Sequence, residues 1–343
     1  MKIIDSKYKK ILISENCNYI FDKTDGTMIT WGKTKDDDPE FSPYGPFIAD
    51  IEITTICKGI PNKDGVKTPC PFCYKSNSPK GINMSFDTFK KIIDKVGIQL
   101  TQIAFGGDSE AISNPDMFKM MEYARSKGII PNITVANVND ETASKLAKLV
   151  GACAVSRYSN KDICYDTVKR LELAGVKQIN LHQLVCEEKY DEVMETLNDM
   201  KTDDRLKSVR AVVLLSLKQK GRGEKFTPLS LDKFKKIVEF ALENKIGIGF
   251  DSCSANKFLK VVKDHPDYKN FETLAEPCES GVFSSYWNAE GYYYSCSFVE
   301  ELEPGIHIDT VKNFLTDVWN SEYNIEWRKR LKNSCRSCPI FKV

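Results

Sequence analysis

Two hydrophobic periods alternate along most of this chain. Between residues 47 and 250, short apolar runs are separated by stretches whose apolar residues recur every three or four positions. The runs read as strands and the stretches as amphipathic helices; their alternation predicts a parallel sheet built from βα units. The first strand is read over residues 47–56 and delivers Cys57 to its end. Ser85 caps a helix, SFDTFKKIIDKVG, with Phe86, Phe89, Ile92, Ile93 and Val96 on one face and Gly97 as its stop. Further strands are predicted over residues 101–105, 133–136, 153–158, 178–186 and 209–217. The helices between them begin at Asn114-Pro115 and end at Gly128, then span 140–150, 161–174 and 189–201. A capped helix over 230–244 and a seventh apolar run, 246–250, lead to Asp251. The expected fold class is α/β, a partial (β/α)6 TIM-like barrel. A closed eightfold barrel takes about 250 residues and two more units.

The flanks read differently. Residues 10–14, 19–21 and 28–31 are strand candidates, and Asp25-Gly26 supplies a hairpin turn before the last of them. A loop covers 35–46. Beyond Asn256 the chain turns irregular, aromatic and cysteine-bearing. Strands over 286–288 and 292–294, joined by a turn through Gly291, bring Cys278 and Cys296 together; a helical stretch over 313–331 precedes Cys335 and Cys338. The expected domains are a β extension (1–46), the barrel (47–256) and a small C-terminal domain (257–343).

Composition narrows the function classes. Apolar residues make up 41% and charged ones 28%, which fits a folded core and not a disordered chain. The net charge is +1, with no long single-sign block, which argues against a dedicated nucleic-acid surface. Neither a signal peptide nor an apolar run of about 18 residues is present, so a cytoplasmic protein without a membrane span is expected. There, 12 cysteines are thiols or metal ligands and not disulfides.

The strand ends of a βα barrel share one rim, and chemistry sits there. Cys57, Gly106-Gly107, Ser156-Arg157, Asn180, His182, Ser216 and Asp251 all fall at or near such ends. Alternation puts Asn180 and His182 on one face. Cys57, Cys70 and Cys73 share one loop; three thiolates can hold three irons of a four-iron cluster and leave the fourth open. In the tail, Cys278, Cys296, Cys335 and Cys338 are enough to ligate a second cluster completely. Zinc is the alternative occupant of either set. Cys17, Cys153 and Cys164 read as packed thiols, while Cys186 and Cys253 lie just past strand ends.

The pair of cysteine groups, in this order on a βα barrel, resembles the radical S-adenosylmethionine (SAM) enzymes with a C-terminal SPASM or twitch auxiliary-cluster domain. Cys70-Pro71-Phe72-Cys73 matches the second half of that superfamily's C-x3-C-x-aromatic-C motif; the first gap here is twelve residues. Gly106-Gly107-Asp108-Ser109 resembles its G-G-E-P motif, which implies that Gly106, Gly107 and Asp108 bind the amino group of SAM, with Glu110 as the competing acid. The resemblance further implies SAM contacts from Phe72, Ser156 and Arg157, and SAM or substrate contacts from Asn180 and His182. The tail fits the shorter, one-cluster twitch form. The implied cofactors are two [4Fe–4S] clusters and SAM. The implied reaction is reductive cleavage of SAM to a 5′-deoxyadenosyl radical that abstracts hydrogen from a substrate, to oxidise or cross-link a peptide or protein side chain. Dehydrogenation or rearrangement of a small metabolite is the alternative. Flavodoxin or ferredoxin is the implied electron donor. A zinc-stabilised barrel acting as a binding module is the reading of a different class.

Overall fold

A computed structural model describes residues 1–62 and 65–341. In the large sheet, seven strands run parallel and in chain order: β1 (Ile48–Glu52), β2 (Gln102–Gly106), β3 (Ile130–Val135), β4 (Cys153–Ser156), β5 (Ile179–Val185), β6 (Val209–Ser216) and β7 (Ile248–Phe250). The helices between them are α1 (Phe86–Val96), α2 (Met117–Ser126), α3 (Asp140–Leu149), α4 (Lys161–Ala174), α5 (Tyr190–Thr202) and α6 (Leu231–Glu243). Side chains of one strand face, among them Ala49, Ile51, Ile103, Phe105, Val155, Leu181 and Leu214, join Phe89, Ile92, Met120, Leu146, Val168 and Ile237 of the helices in one buried core.

The other strand face is unlike a packed barrel interior. Parallel strands buried on both faces read as continuous apolar runs, and small barrels fill with branched apolar side chains. Here the inward positions include Asp50, Gln102, Asn132, Thr134, Ser156, Asn180 and His182, with apolar Leu184, Val213 and Leu215 on the β5–β6 side; Asp50, Ala104 and Gly106 stay exposed in the middle of the sheet. The lumen is therefore open and, from β1 to β5, largely polar, a shape that suits a ligand.

The tail joins this sheet instead of forming its own. Strand β8 (Ser284–Trp287) pairs parallel with β1, from Ser284 beside Ile48 to Trp287 beside Ile51. It turns back into β9 (Tyr292–Tyr294), which pairs with the short β10 (Ile306–His307), for ten strands in all. Trp287 is fully buried against Tyr293 and Phe314, with ring centroids 5.5 and 6.1 Å away. A hairpin was expected; its use to cover the free side of β1 was not.

Other boundaries move for local reasons. Strand β1 stops at Glu52, so Cys57 stands five residues beyond its end in a loop. The N-terminal extension is a four-stranded antiparallel sheet that also recruits Lys2–Asp5, a segment too short and charged to read as a strand. Its inner face, Leu12, Tyr19 and Phe21, packs on Phe47. Two helices, α7 (Ala255–Val262) and α8 (Tyr268–Leu274), occupy the region expected to be irregular. The last helical stretch is split: a π-helical turn, Leu315–Trp319, hands over at Ser321 to α9 (Glu322–Asn333). The indole N–H of Trp319 donates to Ser42 O at 2.6 Å, which anchors that turn on the loop before the barrel. Among the described residues, no helix is long and apolar enough to cross a membrane.

Candidate functional site

The loop between β1 and α1 carries the first three cysteines, and its two ends meet through backbone bonds, Met84 N–H to Ile53 O and Thr55 N–H to Ile82 O, both at 2.9 Å, and through one side chain. Asn114 Nδ2 donates to Ile53 O at 2.7 Å and Met84 O at 3.0 Å. Within the loop, the long gap after Cys57 becomes a finger in which Ile60–Pro61 pairs with Lys67–Thr68. Gly59 makes the entry turn at φ +88°, where a Cβ would lie 2.0 Å from Thr68 O, so only glycine fits. Lys67 pairs with Glu110, and Ser109 Oγ donates to Gly59 O at 2.7 Å. The finger is thereby pinned to the turn after β2, and Cys57 and Cys70 return to a common neighbourhood.

That neighbourhood is centred on Tyr158, just past β4. Its hydroxyl lies close enough to Cys70 and Ser156 to interact with both side chains, and near enough to Cys57 and Cys73 for their charges to reach it. Phe72 stacks on the Tyr158 ring at 5.6 Å and 19°. Burial pushes the Cys70 thiol up to about 12, so binding iron must displace a proton. The Cys57 sulfur accepts from Gly59 N at 3.4 Å.

Arg222 grips the same loop from the far side of the barrel. Its Nε donates to Cys70 O at 2.7 Å, its Nη2 to Asn77 O at 3.1 Å and its backbone N–H to Cys73 O at 3.1 Å. A Cβ on the preceding Gly221 (φ +57°) would fall 2.5 Å from Tyr74 O, so a glycine is needed for this approach. Neither Arg222 nor Tyr158 was picked out from the sequence. The Gly-Arg-Gly turn after β6 was the available signal.

The residues expected at SAM divide into two groups. Ser156, Asn180 and His182 face the lumen, with Ser156 and His182 side by side across β4 and β5. Burial pushes His182 down to about 4, so its imidazole is neutral near pH 7; its Nδ1 lies 3.4 Å from Thr134 Oγ1. Gly106 and Gly107 end β2 at the rim, where a Cβ on Gly107 would meet only Ile133 Cδ1, at 3.8 Å. Two residues are directed elsewhere. The Asp108 carboxylate is buried and turned onto its own loop, where it accepts from the backbone N–H of Glu110 at 3.2 Å and of Ile112 and Ser113 at 3.0 Å. Arg157 points into the helix layer, where Nη2 meets Glu195 at 2.9 Å and the guanidinium lies 5.8 Å from the Tyr165 ring. Alternation explains the latter: with Ser156 inward, Arg157 goes outward. The rim residues Ser216 and Asp251 serve each other's neighbours, through Ser216–Ser254 at 2.6 Å and an ion pair of Asp251 with Lys218.

The tail brings Cys278, Cys296 and Cys338 within range of one another's charge, while Cys335 is exposed. Among the described residues, no three His, Cys, Asp or Glu side chains stand close enough to share a single metal ion. A four-iron cluster asks for something wider, because each thiolate binds its own iron. The two cysteine groups are linked by a buried polar bridge. Lys75, two residues past Cys73, pairs with Glu300 and lies 3.3 Å from Glu52. The Tyr286 hydroxyl reaches Glu52 at 3.2 Å and Glu300 at 3.1 Å, and Asn288 donates to Glu300 at 2.8 Å. Tyr74 adds a ring contact to Phe298, at 4.6 Å.

No protein-family model matches this sequence, and no curated protein matches it. The structure does match solved ones. SuiB of Streptococcus suis, bound to its precursor peptide SuiA, superposes with a TM-score of 0.68 at 12% identity, over 98% of this chain and 91% of SuiB. SuiB bound to S-adenosylmethionine gives 0.66 at 11%, over 94% of this chain and 90% of SuiB. At such identity the likeness speaks to architecture, and it runs through the barrel and the tail together. The chain has the fold of SuiB.

Proposed function

We propose that this protein is a radical SAM enzyme acting on a peptide or protein side chain. The observation that carries the reading is the gathering of Cys57, Cys70 and Cys73 around Tyr158 at the mouth of an open, largely polar half-barrel. When bound, a four-iron cluster with one open iron supplies the electron that cleaves SAM to methionine and a 5′-deoxyadenosyl radical. The protein's own work is positional. Cys57, Cys70 and Cys73 hold three irons, and Arg222 and Asn114 keep the loop that carries them in shape. The backbone at Gly106 and Gly107 and the side chains of Phe72, Ser156, Asn180 and His182 bound the space for SAM and substrate. A neutral His182 accepts or donates one hydrogen bond without adding charge to that space.

Residues 47–256 act as the SAM-binding barrel and residues 257–343 as a tail that holds a second, electron-transferring centre through Cys278, Cys296, Cys338 and one more sulfur. Electrons reach the first centre from a flavodoxin or ferredoxin. Oxidation or cross-linking of the substrate suits a second centre that carries electrons away. The peptide class is favoured because SuiB, whose fold covers nearly the whole chain, is bound to a precursor peptide.

Anaerobic reconstitution tests the reading. About eight irons per chain, broad visible absorption and SAM-dependent formation of 5′-deoxyadenosine are expected, with SAM cleavage abolished by Cys57→Ala, Cys70→Ala or Cys73→Ala. Tightly bound zinc with no uptake of iron would refute it and support a binding module.

A further inference from the structure

We propose that Cys253 is the fourth ligand of the second iron–sulfur centre and occupies the place that spacing assigns to Cys335. The inference rests on the reading above, in which the tail holds such a centre. Cys253 belongs to the barrel: it sits in the short turn Ser252–Ser254 that follows β7 on the rim. Its side chain lies close enough to Cys338 for the two sulfurs to interact, and within range of the charge of Cys278.

The terminal turn is fixed so as to favour this choice. Cys278 N–H donates to Arg336 O at 3.2 Å, and Arg336 Nε returns a bond to Cys278 O at 3.1 Å. Asn256, three residues past Cys253, donates to Ser337 Oγ at 2.6 Å and to Cys335 O at 3.3 Å. Cys335 and Arg336 both adopt left-handed backbone, with φ +52° and +55°. The turn thus holds Cys338 inward toward Cys253, and the Cys335 thiol is left exposed. Lys218 supports the same grouping: it is buried and paired with Asp251, and the charges of Cys253 and Cys338 also act on it. A buried cation beside them suits a centre whose four thiolates leave it anionic.

The chemistry is ligation alone: each thiol gives up its proton to solvent and binds one iron. The consequence is a cross-link, because a centre held by Cys253 staples the barrel to the tail.

The test isolates the second centre by replacing Cys57, Cys70 and Cys73 with Ala together, then reconstituting anaerobically and measuring iron, sulfide and visible absorption. This background is expected to bind about four irons per chain. Adding Cys335→Ser leaves that count unchanged; adding Cys253→Ser or Cys253→Ala lowers it to about three or fewer. Thermal unfolding of the metal-free variants checks that they fold. Four irons retained in a folded Cys253 variant, or iron lost on Cys335→Ser, overturns the assignment, and the second result holds whether or not the Cys253 variants fold. If the background itself binds no iron, the proposed second centre fails and this inference falls with it. If it binds four that survive Cys253→Ser, only this inference falls.

Discussion

Replacing Arg222 by Met is expected to loosen the first cysteine loop without touching a cysteine. The side chain makes two charged hydrogen bonds to that loop, at 2.7 Å to Cys70 O and 3.1 Å to Asn77 O. Bonds to charged groups contribute about 1.5–3 kcal/mol each. Arg222 is half-buried, so the lower end applies and the pair contributes roughly 3 kcal/mol. Met keeps the backbone N–H that reaches Cys73 O and much of the apolar stem, so the loss is confined to the guanidinium. At about 1.4 kcal/mol per factor of ten, the ratio of open to closed loop rises by about a hundredfold. Hydrogen exchange on metal-free protein reads this directly, as faster exchange in peptides covering residues 70–78. Iron loading at the first centre should fall in parallel, and Arg222→Lys, which keeps the charge and loses the fork, should lie between. Exchange in that segment within about threefold of wild type, together with full iron loading, would refute the buttress argument.

Three further outcomes are expected. Lys75→Met leaves Glu52 and Glu300 buried near each other without their cation. It should cost about 3–5 kcal/mol and lower Tm by roughly 4–7 °C; adding Glu300→Gln should restore part of that, as calorimetry can check. His182 is held near 4 against an unperturbed 6.5. Its folded pKa is depressed, so its contribution is present above 6.5 and lost as pH falls from there toward 4. The loss amounts to about 3 kcal/mol, and His182→Gln should flatten that limb of a stability–pH curve. Asn114→Ala removes both side-chain bonds at the loop ends and leaves the Met84 carbonyl unpaired, while Ile53 O keeps the Met84 N–H at 2.9 Å. A loss of about 1–3 kcal/mol by chemical denaturation is expected, against no more than about 0.5 kcal/mol for an exposed control such as Lys269→Ala.

What was legible in the sequence was periodicity. The βα alternation located β1 to β7 and the helices between them, because each buries one face against the same core. The cysteine groups were legible by spacing, which is a local property. Direction and partnership were less so. Arg157 reads as a rim residue by position, yet alternation from Ser156 sends it to Glu195. Asp108 reads as a free acid, but backbone N–H groups two to five residues on capture its carboxylate. Arg222, Lys75 and Glu300 act across 152, 225 and 225 residues of chain respectively, distances at which no pattern in one sequence pairs them. The same holds for β8, whose partner strand lies more than two hundred residues earlier.

The pairing of β8 with β1 bears on how this protein can be taken apart. A chain cut at residue 256 would strip hydrogen-bonding partners from the outer side of Ile48–Glu52, a strand otherwise joined only to β2. Such a bare ledge recruits strands from other copies. The shortened protein is expected to self-associate, with the loop bearing Cys57 displaced along with the seam.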